Sequence, residues 1–326
     1  MRNRIAIVAC ALALVGATAL GIAFGSTSAR LADLFTRGTP DHDILVGVRL
    51  PRVLLGVVAG AGLASVGAAF QSVLKNPLAE PHLLGVSGGA ALGATVAIVL
   101  GLSGPGIVAE AGVPAAAFAG AVLATGLVWS LARAGHTQGA SILLAGVVVN
   151  AVASACITLL ESLADPGRLQ SLLWWLMGYL DVPSWGRLGF VAVYVAGGLV
   201  VLAADAARMN LLSLGDEPAS SLGVDVRKLE ARTFFACAAI VGAVVSVTGL
   251  IGFVGLVVPQ AVRRVLGPDL RVVLPASALA GGALLVACDL GVRVAAFFVH
   301  TEVPVGAVTA LAGGPVFLVL LARRPA

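Results

Sequence analysis

The residue types that most often ligate metals or act as nucleophiles are scattered singly along this chain of 326 residues. Each of the four cysteines lies inside an apolar run, and each of the four histidines lies in a separate loop. They are Cys10, Cys156, Cys237, Cys288, His42, His82, His136 and His300. Without a CxxC pair or a histidine close to a cysteine, the cysteines are interpreted as packing thiols and the histidines as surface residues. We therefore expect no metal site, no disulfide and no cofactor.

Arrangements that catalyse reactions are not found either. The sequence has no GxxxxGK[ST] phosphate-binding loop, and none of its loops shows Ser-His-Asp, paired-carboxylate or metal-ligand spacing. We therefore expect that the chain is not an enzyme. If it moves a solute, the energy must come from a partner ATPase or from an ion gradient.

The positions of the charged residues bear on that choice. Carriers driven by an ion gradient place ionisable residues near the middle of the bilayer. Here the apolar runs are almost free of charge, and Glu110, Glu161, Asp205, Asp289 and Arg293 lie near their ends. This pattern favours coupling to an ATPase. An ion-gradient-driven secondary transporter is the alternative, and a membrane scaffold that transports nothing is a further one.

The apolar runs define the fold class. Hydrophobic residues make up 59% of the chain and charged residues 11%, whereas soluble domains carry about 25% charged residues. Most runs have the length of one membrane span, and the longest, 234–262, is predicted to be two spans, the second short, interrupted by Gly249, Gly252, Gly255 and Pro259. We predict an all-α integral membrane protein of about ten spans in a single domain, 1–326. The other runs are 5–24, 53–74, 83–102, 113–131, 142–160, 188–204, 272–290 and 303–321.

Basic residues predict the orientation of these spans. An even number of spans puts both termini on one side, and arginines flank both ends of the chain. With the termini in the cytoplasm, most of the 20 Lys and Arg fall in cytoplasmic segments. We expect a multi-pass protein of the cytoplasmic (inner) membrane, in contact with lipid. Because its basic residues are distributed over loops, we do not expect it to bind nucleic acid.

Residues 49–93 carry the most detailed pattern. Within the run 53–74, Gly56, Gly60, Ala64 and Ala68 recur at intervals of four, which predicts a central helix that other helices approach closely. The following segment contains two prolines that forbid a continuous helix and leave backbone groups in need of water or protein partners. We predict a rigid cytoplasmic turn at an aqueous boundary, packed near residues 211–223. Its residues are Asn76, Pro77, Glu80 and Pro81.

Three motifs resemble the permease subunits of the FecCD/BtuC family of ABC importers. They are RLPR, GAxxQxxLxNPLAEPxLLGVSxGAALG and, later in the chain, GLIGFVGLVVPQAVRRVLGPDLRVVLP. The resemblance covers nearly the whole chain and implies the type II ABC importer permease fold, with an iron-siderophore, haem or cobalamin as the transported solute. It also implies a homodimer of this permease, two ATP-binding subunits and a periplasmic or lipid-anchored substrate-binding protein. One departure is Gln260, where the family usually has histidine.

Three arginines stand at the predicted outer ends of spans. Arg49 and Arg52 precede the second span, and Arg293 lies near the outer end of the ninth. Position alone leaves two interpretations open, namely snorkelling towards the lipid headgroups and docking of a protein. The family's RLPR arginines contact acidic residues of the binding protein, so the resemblance implies docking. We predict that the three arginines form a cationic rim around the outer mouth.

The segment LLSLGDEPASSLGVDVRKLE lies between the sixth and seventh spans. Asp216 is predicted to cap a short helix that Gly223 ends. Its leucines are expected to need a partner that covers them, and the resemblance to the family's LGxExAxxLG element implies that this partner is the ATPase subunit. The predicted coupling residues are Leu211, Leu212, Leu214, Asp216, Glu217, Ala219, Leu222 and Gly223.

The small, polar loop ARAGHTQGAS follows the fourth span. The resemblance implies that it forms the cytoplasmic gate at the dimer axis. We predict Gly139, Ala140 and Ser141 as gate residues, although the cobalamin relative has small hydroxyl residues where this chain has Gly139 and Ala140.

Overall fold

A computed structural model describes residues 2–25, 27, 29–102, 107–134, 140–181, 184–299, 301 and 303–322. This part of the chain is helical and has no β-strand, which confirms the predicted fold class. Short 3-10 turns occur at Leu31–Phe35 and Pro81–Leu84, and a π-helical stretch, Asp43–Arg49, runs directly into the third helix. The α-helices are α1 (Arg2–Ala23), α2 (Pro40–His42), α3 (Leu50–Val73), α4 (Val86–Val99), α5 (Ile107–Ala134), α6 (Ala140–Leu163), α7 (Pro166–Met177), α8 (Trp185–Leu212), α9 (Asp216–Ser221), α10 (Val226–Thr248), α11 (Val254–Leu266), α12 (Leu270–Val299) and α13 (Val305–Ala322).

Ten of the described helices correspond to the ten predicted spans. Seven of them are long and apolar enough to cross a membrane, namely α1, α3, α5, α6, α8, α10 and α12. The other three are α13 and the shorter helices α4 and α11, with 14 and 13 residues. At about 1.5 Å per residue, neither α4 nor α11 alone crosses about 30 Å of hydrocarbon. The chain segment that precedes each of these two helices must therefore cross the rest of the hydrocarbon thickness.

Helix α3 is the central helix, as the small residues predicted. It is buried along most of its length, and its glycines meet the backbones of other helices. A Cβ atom on Gly60 would lie 2.2 Å from the carbonyl oxygen of Gly281 on α12, and one on Gly67 would lie 1.7 Å from the carbonyl oxygen of Gly255 on α11. Only glycine permits these two contacts. We call the end of the bundle that holds Arg49 the arginine end, and the opposite end, which holds Lys75, the turn end.

The long run 234–262 divides into α10 and α11, as predicted. The break lies at residues 249–253, where Gly249 and Phe253 have φ angles of +65° and +66°. Gly255 and Pro259 were predicted to contribute to the break, but both lie inside α11. The helix continues past Pro259, and Nε2 of Gln71 lies 3.3 Å from the Gly255 carbonyl oxygen and donates to it. That carbonyl loses its usual helical donor because proline has no N–H.

The two breaks that precede the short helices meet inside the bundle. Glu80, after α3, accepts a hydrogen bond through Oε1 from the backbone N–H of Phe253 at 2.7 Å. Beside it, Nε2 of His82 lies 2.7 Å from the carbonyl oxygen of Ile251. A left-handed backbone is rare for a residue as bulky as phenylalanine, and the hydrogen bond that the Phe253 N–H donates to Glu80 helps to hold Phe253 there.

The predicted position of the turn after α3 is only partly right. Leu78 is exposed, but Ala79 and Pro81 are buried. Pro81 packs so closely on α11 that a Cβ atom on Gly255 would lie 2.9 Å from its ring. The second half of the turn is therefore not at an aqueous boundary, because the protein supplies the partners that water was expected to supply.

Candidate docking and coupling sites

The fold brings together the three arginines that were predicted to form a rim. Arg49, Arg52 and Arg293 all lie at the arginine end, but their exposed fractions are 4%, 8% and 6%. The expectation of an exposed rim is therefore wrong for the described chain. Long basic side chains stay buried only when other groups satisfy their donors and balance their charge, and two sets of partners do so here.

The first partner is Asp289 on α12. Its Oδ1 accepts a hydrogen bond from Nε of Arg52 at 3.0 Å and also lies 3.0 Å from Nη2 of the same guanidinium. Its Oδ2 lies 2.9 Å from Nε of Arg293, an ionic contact without hydrogen-bond alignment. One buried carboxylate thus joins an arginine of α3 to an arginine of α12. We call these three residues, together with Arg49, the arginine cluster.

The second set of partners is the C-terminal end of α1. Nη1 of Arg49 donates to the carbonyl oxygens of Ile22 and Ala23 at 2.9 and 2.8 Å. Nη1 of Arg293 donates to the carbonyl oxygen of Gly21 at 2.9 Å. The last carbonyls of a helix have no partner within the helix and carry partial negative charge, so cations stabilise them. The two arginines therefore also fasten α1 to α3 and α12.

At the turn end, an ion pair joins the two predicted elements. Nζ of Lys75, directly after α3, lies 2.5 Å from Oδ1 of Asp216, the first residue of α9. The turn is further shaped by Asn76, whose Oδ1 accepts from the backbone N–H of Leu78 at 2.9 Å. The residue that precedes the turn is thus paired with Asp216, and the expectation that the turn 76–81 itself packs near residues 211–223 stays a prediction.

The predicted coupling leucines differ in exposure. Leu214 and Leu222 are 65% and 60% exposed, whereas Leu212 is fully buried and Leu211 is half-buried. Leu212 is the last residue of α8 and belongs to the core, and Ala219 of α9 is buried as well. The expectation that all the leucines need a covering partner is therefore wrong for Leu212. For the exposed Leu214 and Leu222 it stays a prediction.

The cap of α9 also differs from the prediction. Gly215, with a φ angle of +125°, is the N-cap, and Asp216 is the first helical residue. The side chain of Asp216 makes no capping bond because it is directed to Lys75. Glu217 lies in the first turn, where the helix dipole favours a carboxylate. Gly223, with a φ angle of +82°, follows the helix as predicted.

Sequence reasoning missed a buried polar network between α3 and α11. Oε1 of Gln71 accepts hydrogen bonds from Nη1 of Arg263 at 2.6 Å and from Nε2 of Gln260 at 3.1 Å. Nε2 of Gln260 also donates to the carbonyl oxygen of Pro77 at 3.0 Å. The signal that could have revealed the network is Gln71 itself, a polar residue inside the apolar run 53–74. Gln260 thus ties α11 to the turn.

A second buried carboxylate lies at the turn end. Oδ1 of Asp205 accepts a hydrogen bond from Nη1 of Arg208 at 2.8 Å, and its Oδ2 lies 3.3 Å from Nε of Arg232. Like Asp289, this aspartate is almost fully buried between two arginines. The two carboxylates lie at opposite ends of the bundle and differ in their partners, since Arg208 and Arg232 are 57% and 52% exposed whereas the arginines around Asp289 are buried.

Of the predicted gate residues, Gly139 lies outside the described residues. Ala140 and Ser141 form the first two positions of α6, and their side chains are not described. The gate therefore stays a prediction. Over the described ranges, no three His, Cys, Asp or Glu side chains are grouped so that they could hold a metal ion.

With this geometry in place, comparison with known proteins decides the family. The chain matches the model of the FecCD transport family over residues 9–323. This chain belongs to the FecCD transport family. The helical bundle agrees with that result: a solved structure titled as an inward-facing metal-chelate type ABC transporter has 29% identity and a TM-score of 0.88, with 98% of this chain and 99% of that chain covered.

The relatives of this chain are named for different substrates. The cobalamin import permease BtuC of Halobacterium salinarum is 45% identical, over 88% of this chain and 76% of that protein. The hemin transport permease HmuU of Yersinia pestis is 39% identical, over 94% and 92%. The Fe(3+)-citrate import permease YfmE of Bacillus subtilis is 36% identical, over 86% and 83%. The chain is thus a membrane permease of the ABC importer type.

Proposed function

We propose that this chain is the transmembrane permease subunit of a binding-protein-dependent ABC importer for an iron-siderophore, haem or cobalamin. The match to the FecCD transport family over residues 9–323 carries this proposal. Relatives named for cobalamin, hemin and Fe(3+)-citrate support the substrate class, since all three are metal-containing chelates or macrocycles. The helices of residues 1–326 form one permease domain.

The assembly that we propose contains two copies of this chain, two ATP-binding subunits and a periplasmic or lipid-anchored substrate-binding protein. It lies in the cytoplasmic (inner) membrane, surrounded by lipid, with both termini in the cytoplasm. The exposed leucines Leu214 and Leu222 support an ATPase contact beside α9, because exposed apolar residues next to a short helix favour a covering partner. On this orientation the turn end is cytoplasmic, and we propose Gly139, Ala140 and Ser141 as the residues of the cytoplasmic gate.

The arginine end then faces outwards, where Arg49, Arg52 and Arg293 dock the binding protein. Their burial limits how they do so. An acidic partner acts on them chiefly through their charge, because all three residues are less than 10% exposed. The arginine cluster supports this role because it gathers three guanidinium groups at one end of the bundle, and positive charge attracts an acidic partner.

Reconstitution of the complete transporter tests the proposal. Cobalamin, haem or a ferric siderophore, each presented on the binding protein of the same transport system, is added to proteoliposomes, and ATP hydrolysis and uptake are measured. We expect one of the three to stimulate hydrolysis, and vanadate to abolish uptake. Uptake that resists vanadate but is abolished by a protonophore would instead support the secondary transporter.

A further inference from the structure

Two exposed arginines at the turn end share one buried carboxylate and have no part in the function proposed above. Oδ1 of Asp205 on α8 accepts a hydrogen bond from Nη1 of Arg208 at 2.8 Å, and its Oδ2 lies 3.3 Å from Nε of Arg232 on α10. The aspartate side chain is almost fully buried, whereas more than half of each arginine side chain is exposed. The carboxylate therefore anchors both guanidinium groups from inside the bundle, and their outer parts stay accessible.

This group carries an excess of positive charge at the surface. Within the described ranges, Arg208 and Arg232 pair with no acidic side chain other than Asp205. The contact of Arg232 is ionic and not aligned as a hydrogen bond. A guanidinium has five N–H donors in a planar fork, and phosphate oxygens match that fork. The pair is thus suited to hold one anionic group.

The position of Arg208 along α8 sets the depth of this group in the membrane. Helix α8 begins at the arginine end with the exposed Trp185, and a rise of about 1.5 Å per residue puts Arg208 about 35 Å further along the axis. The hydrocarbon layer is about 30 Å thick, and tryptophan favours its boundary with the headgroups. With Trp185 at one boundary, Arg208 lies among the headgroups of the opposite leaflet.

Exposed apolar residues continue from the arginine pair towards the middle of the bilayer. Ala204 and Val200 lie one and two turns before Arg208 on the exposed side of α8. On α10, Phe235 is exposed and lies one turn deeper than Arg232. Cationic side chains at headgroup level, with apolar surface directly beneath them, match the two parts of a phospholipid. The exposed Leu214, by contrast, follows the end of α8 and lies further from the bilayer.

We propose that Arg208 and Arg232 form a binding site for an anionic phospholipid. The headgroup phosphate accepts hydrogen bonds from the two guanidinium groups, and the acyl chains lie against Val200 and Phe235. Asp205 holds the arginines in place and does not contact the lipid. A zwitterionic lipid also carries a phosphate but has no net charge, so the excess positive charge favours the anionic lipid. The site does not depend on which solute the permease transports.

Trp129 on α5 provides a fluorescent probe beside this site. Its ring stacks on Phe234, with the ring centroids 5.6 Å apart, and lies 5.9 Å from the ring of Phe235. In the parent protein for the experiment, the other tryptophans are replaced by phenylalanine, namely Trp174, Trp175 and Trp185. Bromine atoms on a lipid acyl chain then quench the fluorescence of Trp129 when that lipid occupies the site.

The measurement compares two brominated lipids in nanodiscs that hold the assembled transporter. The discs consist of phosphatidylcholine with the same fraction of either dibrominated phosphatidylglycerol or dibrominated phosphatidylcholine. We expect phosphatidylglycerol to be enriched about fivefold beside Trp129, which is the effect of one net positive charge at a membrane surface. In Arg208→Gln with Arg232→Gln, the two lipids are expected to quench equally.

The control is Arg227→Gln with Lys228→Gln. It removes two exposed positive charges from the first turn of α10 and leaves Asp205 and both of its arginines unchanged. This variant is expected to keep the enrichment. If Arg208→Gln with Arg232→Gln does not assemble, the triple variant that adds Asp205→Asn decides, because it leaves no buried charge unpaired.

Equal quenching by the two lipids in the parent protein overturns the site, as does enrichment that persists in the glutamine variants. An equal loss of enrichment in the control also overturns it, because the attraction would then come from the basic surface as a whole. If the glutamine variants keep the enrichment but lose the ATPase on co-purification, the arginines bind that protein and the lipid site is excluded.

Discussion

Nζ of Lys75 lies 2.5 Å from Oδ1 of Asp216, so that the end of the central helix α3 is joined to the start of α9. The two residues are 141 positions apart, and the side chains are 40% and 27% exposed. A partly exposed ion pair contributes only about 0.2–1 kcal/mol to stability. If the ATPase docks beside α9 as proposed, the importance of this pair lies in the path that it provides from α9 to α3.

Breaking this pair is expected to uncouple transport from ATP hydrolysis without unfolding the permease. In Lys75→Gln, we expect uptake per ATP hydrolysed to fall severalfold, while thermal stability changes by less than about 1 kcal/mol. The charge-reversed double variant Lys75→Asp with Asp216→Lys is expected to recover part of the loss. Lys228→Gln is the control, since it breaks a more exposed pair with Asp225 nearby. A wild-type coupling ratio in Lys75→Gln would contradict the proposed path.

The exposed leucines beside α9 are expected to hold the ATPase subunit. Leu222→Asp places a charge in an apolar contact, which costs at least a few kcal/mol if the charge stays unpaired. Co-purification of the ATPase is expected to fall, while the permease still inserts and remains monodisperse. Leu212→Asp is the contrasting variant, because Leu212 is in the core and its replacement is expected to unfold the permease itself. Undiminished co-purification and transport in Leu222→Asp would remove the assignment.

The docking arginines are expected to govern the rate at which the binding protein associates. Replacing Arg49 and Arg52 with glutamate is expected to slow association and flatten its salt dependence. Because both residues are buried, the glutamate variant also endangers the fold, since loss of one partner of a buried ion pair costs about 3–5 kcal/mol.

The milder pair Arg49→Gln with Arg52→Gln is therefore measured beside it, in stopped-flow experiments at two ionic strengths. Arg168→Gln is the control for a lost positive charge elsewhere at the arginine end, where Arg168 pairs with Asp165. An unchanged rate and salt slope in a folded Gln variant would leave Arg49 and Arg52 with structural roles only, at α1 and at Asp289.

The turn after α3 provides a test of orientation. A single cysteine at Leu78, which is 44% exposed, is expected to react with a membrane-impermeant maleimide only from the cytoplasmic side. The background variant lacks all four native cysteines, which are free thiols. A cysteine at the buried Ala79 is the control and is expected to react poorly from either side. Labelling of Leu78→Cys from outside intact cells would reverse the proposed topology.

The stability that Gln71 contributes through its contact with α11 is expected to depend on Pro259. Gln71→Ala removes the donor to the Gly255 carbonyl and is expected to destabilise the permease by about 1 kcal/mol or more. Pro259→Ala restores the N–H that this carbonyl lacks, so Gln71→Ala is expected to cost less in that background. A double-mutant cycle in thermal unfolding measures the difference. Additive effects would show that Gln71 does not substitute for the missing helical donor.

The sequence predicted features that depend on neighbouring residues and missed those that depend on distant ones. Charge-free runs and glycine intervals predicted the helices, the central position of α3 and the division of 234–262. The burial of Arg52 could not be predicted, because its partner Asp289 is 237 positions away. Leu212 and Leu214 have the same apolar character, and only the end of α8 at Leu212 decides which of them is buried. A local pattern treats Pro259 as a helix break, but Pro259 lies inside α11, where Gln71 donates to the carbonyl oxygen that lacks its helical donor.

The close contact of Gly60 with Gly281 limits which parts of the permease can move. Sliding α3 along α12 would drive the side chains that flank each glycine into the opposing backbone, so these two helices must travel as a rigid body. Arg49 and Arg293 add the end of α1 to the same unit. Alternating access then cannot arise from shear between α1, α3 and α12. The moving parts must be sought among the helices outside this unit. Those helices would move relative to the unit, which stays rigid.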